Sequence, residues 1–177
     1  MLIFTQICGI IGTFFTVLAF FNNERNKILI YKCISDGIFS VQWFILGGYS
    51  GCIISLIAVI RNFVYFILSK KNLNTLPYFL GFTTVIIVFG FLGYKSPIDL
   101  LAIIGSVTYS LSFSIKDVMK LKYLTLIASI LWLFYGVAYR SIGGILSESF
   151  SILSTVISLI ILEKTTDFRV QKAKRLK

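Results

Sequence analysis

The chain has 177 residues, 57% of them hydrophobic and 16% aromatic, with a net charge of +10 and a mean hydropathy of +0.91. A soluble domain of this size leaves too much of its surface exposed to hide so much apolar side chain, so lipid is the solvent this composition calls for. Only 14% of residues are charged, and the basic ones fall between apolar runs of membrane-span length. That placement sets nucleic-acid binding aside and points to orientation in a bilayer.

A helix that crosses a bilayer needs about 20 mostly apolar residues. Runs of that kind occupy 2–21, 27–49, 51–69, 76–93, 98–115, 121–138 and 141–162. The expected fold is therefore an all-α membrane protein of seven transmembrane helices. Span 1 has no positive stretch before it and no small-x-small site after it, so it reads as a retained span. Residues 27–69 are too long for one crossing, and Gly47-Gly48-Tyr49-Ser50-Gly51 is the place to turn. Connections are short, so successive helices should run antiparallel.

Span 2 carries Lys32 and Asp36, one turn apart on one face, with Asp36 near mid-depth at about 1.5 Å per residue. Lys32 either snorkels to the surface or pairs with Asp36. Span 3 brings Arg61, followed by Asn62, to a similar depth. Span 7 carries Glu148 in its outer half, beside a face of Ser147, Ser151, Ser154 and Ser158. Charges at bilayer depth are costly, so Asp36, Arg61 and Glu148 are expected to face the bundle interior. Two readings stay open. These groups form a polar centre that binds a solute or a proton, or an Asp36–Arg61 pair merely holds spans 2 and 3 together. The serine face admits the same two readings, cavity lining or close packing through small residues. Trp43 and Trp132 lie towards the outer ends with Tyr49, Tyr94, Tyr135 and Tyr139. There they serve as interfacial anchors or as stacking surfaces for a ring-shaped solute.

With the N-terminus outside, thirteen Lys and Arg fall on the inner side: Arg25, Lys27, Lys70, Lys71, Lys116, Lys120, Lys122, Lys164, Arg169, Lys172, Lys174, Arg175 and Lys177. Only Lys95 and Arg140 fall outside. The positive-inside rule then gives an outside N-terminus and a cytoplasmic C-terminus, which needs an odd number of spans. Residues 163–177 read as a basic cytoplasmic tail at the lipid surface.

Ile10-Ile11-Gly12-Thr13 matches Ile103-Ile104-Gly105-Ser106, and Leu18 and Phe20 match Leu111 and Phe113 at the same offset. Trp43-Phe44-Ile45-Leu46-Gly47 matches Trp132-Leu133-Phe134-Tyr135-Gly136 at a slightly shorter one. Residues 1–69 and 98–162 thus read as two three-helix repeats in parallel orientation, with 76–93 as a linker helix apolar all round.

A three-plus-one-plus-three layout with parallel triplets resembles the SWEET and PQ-loop transporters. Within that superfamily the length, the Arg61-Asn62 pair and the overall pattern resemble the YgjV-type proteins of the bacterial inner membrane. The only prolines are Pro77 and Pro97, both at span ends, so the in-helix prolines of SWEET-like proteins are absent. The resemblance implies a multi-pass protein of the bacterial cytoplasmic membrane. It also implies a carrier for a small polar solute, bound between the repeats by Asp36, Arg61, Asn62, Glu148, Ser151, Trp43 and Trp132. The alternative is a structural or partner-binding membrane protein without transport. The lipid bilayer is the expected partner, and self-association into a homo-oligomer is left open.

Cys8, Cys33 and Cys52 lie in apolar stretches, no CxxC occurs and there is no histidine, so no metal or cofactor is expected. No GxSxG, HExxH, P-loop or dinucleotide fingerprint is present, so no enzymatic activity is expected.

Overall fold

The computed structural model describes residues 2–175, all of whose regular secondary structure is helical. The helices are α1 (Leu2–Phe21), α2 (Arg25–Ile45), α3 (Tyr49–Lys70), α4 (Leu76–Leu92), α5 (Asp99–Ser114), α6 (Val118–Ala138) and α7 (Ile142–Arg175). Their boundaries follow local chemistry. Gly47 ends α2 at a φ of 74°, a left-handed position that glycine takes without penalty, so the uncharged break does fall there. Pro77 stands in the first turn of α4, where a missing N–H costs nothing. The Asp117 carboxylate caps α6 by accepting from the backbone N–H of Met119 at 2.9 Å.

Five helices, α1, α2, α3, α6 and the Ile142–Leu162 part of α7, are long and apolar enough to cross a membrane. The apolar α4 and α5 are shorter, at 17 and 16 residues. At about 1.5 Å per residue α5 reaches roughly 24 Å, a little less than the hydrocarbon thickness. The basic segment beyond Leu162 continues α7 as helix to Arg175, while Lys177 and the side chains from residue 163 onward lie outside the described residues.

Each helix packs on its neighbours in the order α1, α2, α3, α5, α6, α7 and back to α1, and α4 touches only α3 and α5 among its closer partners. The outward surface is apolar: Ile10, Phe14, Ile60, Phe63, Phe134 and Leu153 are among many large exposed side chains. The interior carries many buried polar side chains, among them Ser35, Asn62, Ser110, Thr125, Ser129 and Ser151, beside apolar clusters around Phe20, Ile28 and Phe113. An apolar outside with polar groups partnered inside is what a lipid solvent selects, because apolar groups lose nothing by facing it and polar groups must find partners inside. On α4 Ile86 is fully buried while Leu80, Val88, Phe89, Phe91 and Leu92 are exposed, so its apolar surface is largely unpaired.

Glycines bring α1 and α7 close together. A Cβ on Gly9 of α1 would lie 2.9 Å from the Gly143 Cα of α7 and 2.8 Å from the Gln42 side-chain nitrogen of α2. Three helices thus meet where no side chain fits. Gly9→Val or Gly143→Val is expected to lower the melting temperature of the purified protein, an overpacking cost of about 1–3 kcal/mol. Gly81→Val, at a position with open space around it, is expected to leave that temperature unchanged.

Candidate functional site

The bundle encloses a cavity lined by α2 and α3 on one side and by α5, α6 and α7 on the other. Its charged wall is Lys32, Asp36, Arg61 and Glu148, and its aromatic wall is Phe39, Trp43, Tyr109 and Trp132. About 40 Å³ is open to the centres of water molecules, room for roughly three waters.

Helical spacing explains how the wall is built. Lys32 and Asp36 are one turn apart on α2, and the Lys32 Nζ lies 2.7 Å from an Asp36 oxygen. The second Asp36 oxygen accepts from the Asn62 amide at 2.8 Å. The Asn62 carbonyl oxygen in turn accepts from Arg61 Nε at 3.2 Å and from an Arg61 terminal nitrogen at 3.0 Å. The remaining Arg61 nitrogen donates to the Ser106 carbonyl of α5 at 3.2 Å, and the guanidinium lies 5.4 Å from the Phe113 ring centroid. The expected direct Asp36–Arg61 pair is therefore corrected. Lys32 is the counter-ion of Asp36, and Asn62 carries the link to Arg61. Arg61 turns Nε and one terminal nitrogen onto the Asn62 amide oxygen and the other terminal nitrogen onto the α5 backbone, so none of these donors meets Asp36.

Glu148 stands opposite on α7, half-buried, and accepts from the Tyr109 hydroxyl at 3.2 Å. Among the described residues it forms no ion pair within 4.0 Å. Tyr109 also exchanges a hydrogen bond with Ser129 at 2.7 Å, and Ser129 another with Ser151 at 2.8 Å. The Lys32 ammonium lies 5.2 Å from the Tyr109 ring centroid, so one ring joins the two charged groups across the cavity.

Five of the seven candidate residues, Asp36, Arg61, Glu148, Trp43 and Trp132, line this cavity. Asn62 lies behind the wall as the bridge, and Ser151 faces Ser129 away from it. Of the serine face only Ser147 reaches the cavity, and it donates to Thr16 of α1 at 3.3 Å. Ser154 donates to the Ser151 carbonyl and Ser158 to Asn23, so the face is mostly packing. Interfacial anchoring also fails for Trp43, which is buried, its ring centroid 6.3 Å from that of Trp132 and 5.4 Å from that of Tyr135. Tyr49 and Tyr94 remain exposed at that end.

Sequence reasoning missed the polar cap beyond these rings. Asp99 is fully buried and accepts from Tyr139 at 2.7 Å, from the backbone of Lys95 and Ser96, and from Ser50, which also bonds Tyr135. Its signal was an aspartate at the start of a helix, which reads as a local cap and does not reveal the tyrosines.

Asn62 is the residue on which the charged wall hangs. Asn62→Leu is expected to destabilise the purified protein by about 1–3 kcal/mol or more, since two Arg61 donors and one Asp36 oxygen lose their partner together. Asn62→Gln, which keeps both the donor and the acceptor, is expected to retain more of the melting temperature than Asn62→Leu does.

Residues 3–166 match a family model, Imp-YgjV, described as a bacterial inner membrane protein. Comparison with curated proteins gave no match, and neither did comparison with solved structures.

Proposed function

The chain belongs to the Imp-YgjV family of bacterial inner membrane proteins, and on that footing we propose that it is a carrier for a small polar solute, bound in the cavity between its two halves. It is a multi-pass protein of the inner membrane, and the cavity is the observation that carries the reading. α2 and α3 contribute Lys32, Asp36 and Arg61, and α5 and α7 contribute Tyr109 and Glu148. Four charged side chains around one cavity, two of each sign, suit a solute with polar groups of its own. The free space limits that solute to a few heavy atoms unless the walls part.

A three-plus-one-plus-three design of the SWEET-like kind is supported by the helix boundaries. α2 and α6 begin at 25 and 118, α3 and α7 at 49 and 142, and α1 and α5 end at 21 and 114. Each pair is separated by 93 residues. The neighbour order agrees, since α1 on α7 mirrors α5 on α3 and α4 stands outside the ring. Equivalent glycines also meet equivalent positions: a Cβ on Gly12 would touch the Phe39 ring and one on Gly105 the Trp132 ring. On that register Trp132 corresponds to Phe39, not to Trp43, and the shorter offset read for the tryptophans falls away.

The N-terminus faces outside and the basic end is cytoplasmic on the charge count. Arg25 and Lys122 are buried, yet eleven against two remain without them. A reporter fused after Lys177 is expected to be active only in the cytoplasm, and activity only on the outer side would reverse the orientation.

A second reading, a membrane protein whose polar groups only hold the bundle together, draws on the closed chain Lys32, Asp36, Asn62 and Arg61, each already partnered. One pair of variants separates the two. Under the carrier reading Asp36→Asn and Glu148→Gln both reduce flux of small solutes in proteoliposomes to background. Under the structural reading Asp36→Asn costs about 3–5 kcal/mol of stability through the orphaned Lys32, Glu148→Gln is nearly silent, and flux is absent in every form. Flux that persists in both variants would remove the carboxylates from the carrier reading.

A further inference from the structure

We propose that the basic end of the bundle is a gate closed by two reciprocal clasps, Arg25 on the Phe113 carbonyl and Lys122 on the Phe20 carbonyl. Arg25, in the first turn of α2, donates from Nε at 3.2 Å and from a terminal nitrogen at 2.6 Å to the Phe113 carbonyl in the last turn of α5. Lys122, in the second turn of α6, donates at 3.3 Å to the Phe20 carbonyl in the last turn of α1. Each cation belongs to one half and each carbonyl to the other. The two acceptors are 93 residues apart, the same interval that relates the helix boundaries. The cations are not themselves equivalent in register, so the second clasp is rebuilt from a different residue around the same kind of acceptor.

The chemistry favours clasps over simple anchoring. Last-turn carbonyls lack helical donors and carry the negative end of the helix dipole. A cation near its own helix N-terminus stands at the wrong end of that dipole, and the opposing C-terminus compensates it. Both cations are buried, Lys122 fully, and among the described residues neither has a carboxylate within 4.0 Å. Lys122 also donates to Asn23 at 2.7 Å and to Ser158, and Ser158 donates to Asn23 at 2.9 Å. Its ammonium thus ties the α1–α2 connection to α6 and α7. Hydrogen bonds to carbonyls can be exchanged for water at an interface with far less loss than a buried ion pair. Such a contact holds in one state and releases in another. The side chains of the two acceptor residues, Phe20 and Phe113, are both fully buried in one apolar cluster with Tyr65 and Tyr109.

The inference rests on the two-half reading but not on transport, because opening can be measured without a solute. The reporter is Ala58→Cys on the cavity wall, in a protein with Cys8, Cys33 and Cys52 replaced by serine. It is labelled with a membrane-impermeant maleimide in vesicles of each sidedness. Arg25→Gln and Lys122→Gln should each raise labelling from the basic end about tenfold, as loss of a charged hydrogen bond allows. They should leave the other side unchanged, and Arg25→Lys should return labelling towards the parent rate. No rise in either glutamine variant overturns the gate. A rise from both sides overturns it as well, because the clasps would then be holding the fold and not one end. A one-sided rise in a protein that moves no solute keeps the gate and removes the carrier.

Discussion

Asp36 is held between the Lys32 ammonium at 2.7 Å and the Asn62 amide at 2.8 Å, and most of the bundle is arranged around that carboxylate. A charge at bilayer depth costs about 2.5–3.5 kcal/mol on insertion scales, so the sequence can carry one only where the fold supplies partners. Here the partner of each charge is itself polar and needs a partner in turn. Asn62 turns its oxygen to Arg61, and Arg61 reaches the Ser106 backbone of α5. The chain of contacts crosses between α3 and α5, helices that run side by side at one flank of the cavity. Glu148 is the exception, with a tyrosine and no cation in contact, and it is the group whose surroundings leave most to a bound solute.

Around this centre the helices are held close together. Small residues bring the backbones together: Gly9 against Gly143, and Gly12 against the Phe39 ring. Hydroxyls then satisfy one another across the seams, Thr16 with Ser35 and Ser112 with Thr125. At the end away from the Arg25 and Lys122 contacts, Trp43, Trp132 and Tyr135 form a packed aromatic group, and Tyr135 and Tyr139 lie 4.7 Å apart between centroids beside it. Ser50 and Asp99 fix those hydroxyls. At the basic end Arg25 and Lys122 donate to the Phe113 and Phe20 carbonyls at helix C-termini. The two ends thus differ in chemistry, tilted and edge-on rings at one and charged hydrogen bonds to backbone carbonyls at the other.

Hydropathy located all seven helices, five of them long and apolar enough to cross a membrane, because a lipid-facing helix must be apolar along its length whatever its neighbours are. The uncharged break at Gly47 was legible for a local reason, since only a glycine accepts that turn cheaply. The convergence of Asp36, Arg61 and Glu148 was legible from cost alone. What could not be read was who pairs with whom. Depth put Asp36 and Arg61 level, but rotation about the α3 axis placed Asn62 between them, and rotation is a property of packing. The serine face of α7 failed for the same reason: a periodic row tells which residues share a face, not whether that face meets a cavity or another helix. Lys122 and Arg25 counted as inner-side charges, and nothing local in the sequence marks them as buried, because their partners are backbone carbonyls that carry no sequence signature. Trp43 looked like an interfacial anchor because it lies near a helix end, and its inward turn comes from the contact with Trp132 and Tyr135.

For the proposed binding of a small polar solute in the cavity, the chain carries a built-in reporter. Its two tryptophans, Trp43 and Trp132, both line that cavity. Emission of the purified wild-type protein, titrated with small amino acids, small amines and small carboxylates in turn, tests the claim most directly. The account predicts a saturable change with one of these classes that is lost in Glu148→Gln while the variant keeps its melting temperature. An emission spectrum indifferent to all three classes, or a response identical in Glu148→Gln, would contradict it.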